Sequence, residues 1–312
     1  MNSRLLVIGC SYIENVYVTG SLPTDGGISE GELPKMRPGG RAGTAAVMAS
    51  RLTGDEVLLC SAIGNDSNGK GLISFYKENN INTSYVSFPE GMQTGICNVI
   101  VEKSHSTVKK ILYKGASNSF GASKVASALM SYPDAIYLTA EVPELLAAQV
   151  IASANAQDIP VYLDMSGYTP GSSIGTVGDI ELFICSEAEA TQLSGVRPTT
   201  VESALRCCIS LRNKVDARFF ILRLGRRGCF VYNGKYHYMF IPCSLEGGNV
   251  CGYVDFEAAA IAAEYLSTGS IKDACEIALV ATKMAREFEQ MSIPTREQIA
   301  IYASRKGIKI NI

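Results

Sequence analysis

The chain has 312 residues, of which 47% are hydrophobic, and a formal net charge of -2 at pH 7. This composition is sufficient for the core of one large α/β domain or of two smaller ones. The small net charge gives no general electrostatic reason to bind nucleic acid or an anionic membrane, so any phosphate site has to be local. Only two histidines are present, which excludes a multi-histidine metal site and most histidine-centred catalysis.

The ten cysteines form no Cys-x-x-Cys pair. Five of them lie in or beside apolar runs, where a free thiol acts as a small hydrophobic side chain. These five are Cys10, Cys60, Cys97, Cys185 and Cys229. We therefore expect a reducing, cytoplasmic environment. The apolar run at residues 4–10 is too short for the core of a signal peptide, and no apolar run in the sequence is long enough to span a bilayer.

Short apolar runs rich in β-branched residues alternate with helical patterns along the chain. The predicted strands are 5–9, 57–63, 135–138, 161–163, 182–185 and 219–224. The predicted helices are 42–52, 71–79, 123–131, 143–157, 200–214, 255–266 and 271–290. Near-continuous apolar strands are typical of parallel strands covered on both faces, so the alternation predicts a doubly wound α/β sheet with right-handed crossovers. Ligands of such a fold bind at the carboxyl ends of the strands.

Three stretches depart from this alternation of strands and helices. Residues 12–38 are rich in glycine, proline and acidic residues, and residues 94–113 alternate apolar and polar side chains around a polar turn at 103–106. The second stretch predicts a hairpin with one buried face. The glycine-rich residues 64–71 fall one residue short of a Walker A loop, because Gly71 stands where a hydroxyl should contact magnesium. We interpret them as a structural turn.

A further glycine-bearing turn, residues 247–252, leads into a helical pattern that contains Asp255. Unpaired N–H groups at a helix start, together with the helix dipole, favour a bound anion such as a phosphate. A carboxylate beside that anion would repel it unless the carboxylate accepts a proton or holds a metal, which suits a general base for phosphoryl transfer. On this stretch alone, a capped amphipathic helix with an acidic first turn explains the residues equally well.

The segment around Asp255 reads Asn-Val-Cys-Gly-Tyr-Val-Asp-Phe. It resembles the Asp-Thr-Thr-Gly-Ala-Gly-Asp-x-Phe signature of the ribokinase-like (PfkB) carbohydrate kinases. Gly252 and Asp255 match, whereas Asn249 stands for the leading aspartate and Val254 for the second glycine. The resemblance implies that Asp255 is the catalytic base and that Gly252, Tyr253 and Val254 form the anion hole for the phosphoryl group.

Residues 38–46 read Pro-Gly-Gly-Arg-Ala-Gly-Thr-Ala-Ala and resemble the family's Gly-Gly-Lys-Gly-Ala-Asn signature. Paired glycines let a backbone approach a polyol closely, and a carboxylate can accept two hydroxyls at once. By resemblance, the substrate-binding residues are Glu14, Gly39, Gly40, Arg41, Thr44 and Glu141. Thr44 replaces the family's asparagine. Taken singly, each of these features is a plain turn or a solvated acid, whereas together they suit a neutral hydroxylated ligand.

Two later segments resemble the nucleotide side of the family's site. Residues 185–189 are similar to its Asn-x-x-Glu motif, and residues 224–230 to its Leu-Gly-x-x-Gly turn. The resemblance implies nucleotide-binding roles for Ser186, Gly225, Arg226 and Gly228. It also implies that Glu189 organises a magnesium ion through water. Without the resemblance, Glu189 is an acid in the first turn of a helix, and the arginines simply face water.

The resemblance covers nearly the whole chain in element order. It implies a single ribokinase-like α/β domain, residues 1–312, with a doubly wound, mainly parallel sheet flanked by helices and a small β-strand lid from about 12–38 and 94–113. It implies ATP-dependent phosphoryl transfer to a hydroxymethyl group of a sugar or nucleoside, with ATP, Mg²⁺ and a monovalent cation as cofactors. We expect a homodimer through the lid, because apolar positions such as Ile96, Val99 and Val101 would be exposed on a single copy.

The alternative is a catalytically impaired relative that binds a small ligand in a regulatory or assembly role. If the backbone at Val254 needs a positive φ, a β-branched residue there costs on the order of a few kcal/mol. Asn249 also lacks the carboxylate that, in the family, helps to hold a monovalent cation. The presence of Asp255 favours the active kinase, because phosphoryl transfer requires this carboxylate as the general base.

Overall fold

The computed structural model describes residues 3–103, 107–168, 178–241, 253–287 and 293–312, with the backbone alone for residues 253–256 and 286. In chain order the strands are β1 (Arg4–Ile8), β2 (Tyr12–Thr19), β3 (Lys35–Gly39), β4 (Glu56–Cys60), β5 (Ile81–Asn82), β6 (Gly95–Glu102), β7 (Thr107–Tyr113), β8 (Ala135–Thr139), β9 (Val161–Asp164), β10 (Ile180–Ser186), β11 (Ala217–Arg223), β12 (Cys229–Tyr232) and β13 (His237–Phe240). The α-helices are α1 (Arg41–Thr53), α2 (Ser67–Glu78), α3 (Ala122–Leu129), α4 (Glu144–Asn155), α5 (Glu187–Ser194), α6 (Val201–Arg212), α7 (Tyr253–Thr268), α8 (Ile271–Glu287) and α9 (Arg296–Arg305).

Among the described residues, the larger sheet has nine strands in the order β13-β12-β11-β10-β9-β8-β1-β4-β5. All neighbours from β11 to β5 pair in parallel, and β12 and β13 extend the sheet by antiparallel pairing. Parallel strands joined by crossovers bring their carboxyl ends to one edge of the sheet. That edge gathers the ends of β8, β9, β10 and β11.

Both faces of the larger sheet are covered by helices. In β1, Leu5 and Val7 pack into one layer of the core with α1, α2, α7, α8 and α9, whereas Leu6 and Ile8 pack into the other layer with α3 to α6. Successive side chains of a strand point to opposite faces, so continuous apolar runs are what two buried faces require. The predicted doubly wound α/β fold is confirmed. In the described parts of the chain, none of the helices combines the length and apolar character needed to cross a membrane.

The smaller sheet has the strand order β3-β2-β6-β7. Strand β2 pairs in parallel with β6, while β3 and β7 pair antiparallel on the outside. These strands lie within the two stretches predicted to supply a lid, and β6 and β7 form the predicted hairpin. The tip of that hairpin, including His105, lies outside the described residues. We call this sheet the lid sheet.

One face of the lid sheet is buried within the same chain. Val16, Val99 and Val101 are buried and pack with Tyr12 and Cys97. Val16 and Val99 are partners in the parallel register, so their side chains cover each other on this face. The expectation that Val99 and Val101 are exposed on a single copy is therefore wrong.

The opposite face of the lid sheet carries exposed apolar side chains. Met36, Ile111 and Tyr113 are 66%, 66% and 55% exposed. Tyr113 lies opposite Ile96 in the register, so Ile96 shares this face and is half-buried. We call these four residues the outer lid face.

The glycine-rich turn at residues 64–71 connects α2 to the lid sheet. Asp66 Oδ1 accepts the N–H of Gly69 at 2.8 Å and thereby caps α2, and its Oδ2 accepts the N–H of Thr94 at 2.8 Å. Burial alone would raise the pKa of Asp66, but these bonds and the Thr94 hydroxyl lower it below its ordinary value. The geometry agrees with the predicted structural turn.

Helix α7 is held in place by a buried carboxylate. The side chain of Glu264 is fully buried and pairs with Arg296 on α9. Burial raises the pKa of Glu264, although Arg296 opposes that shift. Removing the cation would leave an uncompensated charge inside the protein.

We expect Arg296→Ala to lower the free energy of unfolding by about 3 kcal/mol, because it leaves Glu264 without its cation. The matched control is Arg305→Ala on the exposed side of the same helix, which should change the free energy by less than about 0.5 kcal/mol. Urea denaturation followed by circular dichroism measures both variants. If Arg296→Ala were as stable as Arg305→Ala, the Glu264–Arg296 pair would not be important for stability.

Candidate active site

Two glycines bring β3, β2 and α1 close together. Gly40 precedes α1 with a φ of 84°, and a Cβ on it would lie 2.4 Å from the carbonyl oxygen of Cys10. A Cβ on Gly39 would lie 2.4 Å from Cγ of Glu14. Neither position has room for a side chain, and the left-handed φ of Gly40 favours glycine independently. The paired glycines therefore set the start of α1 directly against β2.

Glu14, predicted to bind sugar hydroxyls, is engaged by two cations of the lid sheet. Its carboxylate accepts a hydrogen bond from Arg37 Nε at 2.7 Å, and its Oε1 lies 3.9 Å from Lys110 Nζ. Arg37 faces Glu14 across the β2–β3 pair. The carboxylate is buried beneath these two side chains.

Glu141, the second predicted hydroxyl ligand, is engaged by Arg41. Arg41 Nη1 donates to Glu141 Oε2 at 2.5 Å, and the N–H of Cys10 donates to Oε1 at 3.1 Å. Burial raises the pKa of the Cys10 thiol, and the Glu141 charge adds to that rise. Thr44 continues the first turn of α1, where its N–H bonds to the carbonyl of Gly40 at 2.9 Å.

The start of α7 carries the predicted base. The helix begins at Tyr253, so Val254 and Asp255 belong to its first turn, whereas Gly252 and Asn249 lie outside the described residues. A helical residue has a negative φ, so the condition under which Val254 would be strained, a positive φ, does not apply in this helix. Helix α7 packs against α1, the helix that follows the glycine pair.

The predicted nucleotide side is built on the ends of β10 and β11. Ser186 and Glu189 form a capping box at the start of α5, in which Glu189 Oε2 accepts the N–H of Ser186 at 2.7 Å. Gly225 and Gly228 bound a tight 3-10 turn after β11, both with positive φ. The two adjacent arginines of this turn, Arg226 and Arg227, lie in different surroundings.

Only one of those two arginines is directed away from the protein. Arg227 is held by Glu187 and by the carbonyl of Pro198, at 2.5 Å each, which makes it a structural residue. Arg226 is exposed. A guanidinium in this position is available to an anionic ligand.

A buried charge network lies between these two halves of the site. Arg223, at the end of β11, donates to Ser166 Oγ at 2.8 Å and lies 3.6 Å from Asp164 Oδ1 and 3.9 Å from Glu189 Oε2. Asp164 is itself held by the hydroxyl of Tyr137 at 2.6 Å and by the N–H of Ser166 at 3.0 Å. Burial alone would lower the pKa of Arg223, but the charges of Asp164, Glu189 and Glu257 raise it above its ordinary value.

The segment 164–167 joins the two halves. Ser166 contacts Arg223, and a Cβ on the next residue, Gly167, would lie 2.7 Å from Cβ of Glu141 and 2.9 Å from Nη1 of Arg41. Contacts through the segment 164–167 therefore link the Arg41–Glu141 pair to Arg223 at the end of β11.

The sequence prediction did not include Arg223, Asp164 or Glu257. A usable signal was present, since Arg223 is a charged residue inside the apolar run 219–224 and Asp164 closes the run 161–163. A charge in a strand covered on both faces requires a buried partner.

Within the described residues, Glu189 could hold a magnesium ion through water. Glu189 Oε2 is occupied by the N–H of Ser186 and faces Arg223, which leaves the other oxygen for a water of a hydrated ion. The described residues contain no group of three or more side chains suited to hold a metal directly.

The doubly wound sheet with its four-stranded lid is the ribokinase-like fold, which solved ribokinases share. The chain belongs to the pfkB family of carbohydrate kinases, whose family model matches residues 2–296. The family resemblance found in the motifs is confirmed.

Three ribokinases match this chain along almost their whole length. A ribokinase of Haemophilus influenzae is 25% identical over 308 residues, which are 96% of this chain and 97% of that protein. The structure of ribokinase from Giardia lamblia has a TM-score of 0.85 at 19% identity and covers 98% of this chain and 100% of its own. The structure of Arabidopsis thaliana ribokinase complexed with ribose and ATP has a TM-score of 0.80 at 19% identity. The match covers 97% of this chain and 99% of the Arabidopsis chain. These structures establish the fold.

We expect Arg223→Met to lower the free energy of unfolding by about 3–5 kcal/mol, because it leaves the buried Asp164 and the partly buried Glu189 without their cation. Arg218→Met, on the exposed end of the same strand, is the matched control and should cost less than about 1 kcal/mol. Thermal and urea denaturation provide the comparison. A stable Arg223→Met protein would show that the carboxylates are compensated elsewhere.

Proposed function

We propose that the protein is an ATP-dependent kinase that transfers a phosphoryl group to a hydroxymethyl group of a sugar or nucleoside. The observation that carries this proposal is the position of Asp255 in the first turn of α7, a helix packed on α1, which directly follows the glycine pair. Family membership supports the sugar-kinase class. The Arabidopsis relative, which binds ribose and ATP, supports ATP as the donor.

In this proposal Asp255 accepts the proton of the attacking hydroxyl. The N–H groups in the first turn of α7, including those of Tyr253 and Val254, stabilise the charge that develops on the phosphoryl oxygens. Gly252 would contribute its N–H to the same anion hole. The substrate lies between Gly39, Gly40, Thr44 and the lid sheet, which excludes water that would compete for the phosphoryl group.

On the nucleotide side, Arg226 and the turn bounded by Gly225 and Gly228 are proposed to contact ATP, with Ser186 at the start of α5 beside them. Magnesium, when bound with ATP, supplies positive charge to the phosphates. Glu189 would hold one of its waters. Arg223 keeps Glu189 and Asp164 in position beneath this surface.

The overall activity is tested by transfer of labelled phosphate from ATP to a panel of sugars and nucleosides. Transfer to at least one acceptor is expected. Ligand binding without transfer to any acceptor would instead support the catalytically impaired relative.

We expect Asp255→Asn to reduce kcat by about 10²–10⁴-fold, because a general base is lost, while the affinity for ATP changes little. The control is Asp273→Asn, which removes an acid from the first turn of the next helix, α8, and should leave kcat unchanged. Steady-state kinetics and titration calorimetry measure the two quantities. Near-normal turnover of Asp255→Asn would show that Asp255 is not the base.

We further propose that residues 1–312 form one domain that dimerises through the outer lid face, in a reducing cytoplasm. Exposed apolar residues on a sheet mark a typical interaction surface, and a second copy of the chain would remove them from water. All eight cysteines in the described ranges are buried free thiols, which supports the reducing compartment.

We expect Ile111→Asp to convert the dimer into a monomer, because it places a charge at the centre of the apolar contact. Ile301→Asp on α9, where the isoleucine is also exposed, is the control and should leave the assembly intact. Light scattering coupled to gel filtration gives the masses. A wild-type monomer would refute the dimer, and a dimeric Ile111→Asp protein would place its interface elsewhere.

A further inference from the structure

Helix α8 carries a buried positive charge near its end. Lys283 is 7% exposed, so nearly all of the residue is removed from water. Within the described residues, no hydrogen bond or ion pair joins its ammonium group to another side chain or to the backbone. A lysine is rarely buried without a partner, because an isolated ammonium group loses its hydration and gains no compensating contact. Lys283 therefore requires a negative charge that the described part of the chain does not supply.

The carboxylate one turn further along α8 already has a different cation. Glu287 Oε2 lies 3.1 Å from Nζ of Lys306. Burial alone would raise the pKa of Glu287, but hydrogen bonds from Tyr302 and Lys306 and the charges of Lys306 and Lys283 lower it below its ordinary value. The charge of Lys283 thus acts on Glu287 without an ion pair between the two side chains. Glu287 is therefore not the counter-charge that Lys283 requires.

Lys283 lies level with the first turn of α7. Helices α7 and α8 have 16 and 17 residues, pack against each other and are joined at 269–270, so α8 returns antiparallel along α7. At a rise of about 1.5 Å per residue, Asp255 and Lys283 lie about 20 Å and about 18 Å from the helix ends that meet at this connection. Lys283 and the proposed base therefore belong to the same end of the helix pair.

A second contact places α8 beside the proposed nucleotide side. Sγ of Cys275 on α8 lies 4.0 Å from Sγ of Cys229, the first residue of β12. Cys229 directly follows Gly228, which ends the turn proposed to contact ATP. Helix α8 is thus in contact both with α7, which carries the proposed anion hole, and with the strand that leaves the proposed ATP turn.

We infer that Lys283 binds phosphate oxygens of ATP beside the first turn of α7. This inference rests on the proposed kinase function. The backbone N–H groups of that turn and the ammonium group then hold one anion from two helices. An ammonium group donates several hydrogen bonds, and the phosphate supplies the missing negative charge. The unpaired charge destabilises the free protein, and the bound nucleotide removes this penalty.

The test compares Lys283→Met with the wild type in two measurements. Thermal melting of the free protein should give an equal or higher melting temperature, because methionine fills the buried position without an unpaired charge. Titration calorimetry should show that the affinities for ATP with Mg²⁺ and for tripolyphosphate fall about fivefold or more, because a charge-assisted hydrogen bond to phosphate is lost. A purely structural lysine would instead lower the melting temperature when it is replaced.

Two further variants control this comparison. Lys272→Met removes an exposed lysine from the first turn of the same helix, where it lies 3.9 Å from Glu276, and should change neither measurement. Lys283→Arg keeps the positive charge and should bind ATP more tightly than Lys283→Met does. A smaller loss of ATP affinity in Lys283→Met, or a melting temperature well below that of the wild type, would overturn the inference. A wild-type chain that binds neither ATP nor tripolyphosphate would also overturn it.

These binding measurements require no phosphoryl transfer, so they separate the inference from the proposed kinase activity. Weakened ATP binding in Lys283→Met, in a chain that phosphorylates no acceptor, would support the phosphate contact and refute the kinase. Transfer from ATP by Lys283→Met with the rate and ATP affinity of the wild type would support the kinase and refute the phosphate contact.

Discussion

The constraint on which the site depends is the cost of burying the charge of Arg223. A guanidinium removed from water is stable only with carboxylates and hydrogen-bond acceptors in good geometry. Here these partners come from different elements: Asp164 ends β9, Glu189 begins α5 and Ser166 follows β9. Because each partner has to meet the same cation, the ends of β9, β10 and β11 are fixed relative to one another. The proposed nucleotide contacts are built on those ends.

The charge of Glu257 extends the same constraint to α7. Its carboxylate is buried and acts on Arg223 from a position two residues beyond Asp255. The helix that carries the proposed base is thus coupled electrostatically to the strands that carry the proposed nucleotide contacts. At its other end α7 is coupled to α9 through Glu264 and Arg296. Because the loss of one partner leaves an uncompensated buried charge, these contacts disfavour arrangements that separate α7 from the strands or from α9.

Much of the fold was predictable because parallel strands covered on both faces leave continuous apolar runs. All six predicted runs correspond to strands of the larger sheet. Strands β12 and β13 were not predicted, because they are short and β13 is exposed to half-buried, which gives no such run. The glycine pair was found from sequence for a physical reason, since neither position tolerates a Cβ. The partners of Glu14 and Glu141 were not found, because ion pairs across strands and loops depend on register and leave no local pattern in the sequence.

The parallel pairing of β2 with β6 has a consequence for how the chain folds. Tyr12 lies opposite Gly95, and the chain between them supplies β3, α1, β4, α2 and β5. A contact between residues so far apart becomes favourable only after the intervening elements have docked and shortened the loop. The hairpin of β6 and β7 is local and forms quickly by comparison. We therefore expect the lid sheet to be completed late, and until β2 arrives the hairpin would present an unpaired strand edge that can pair with another unfinished chain.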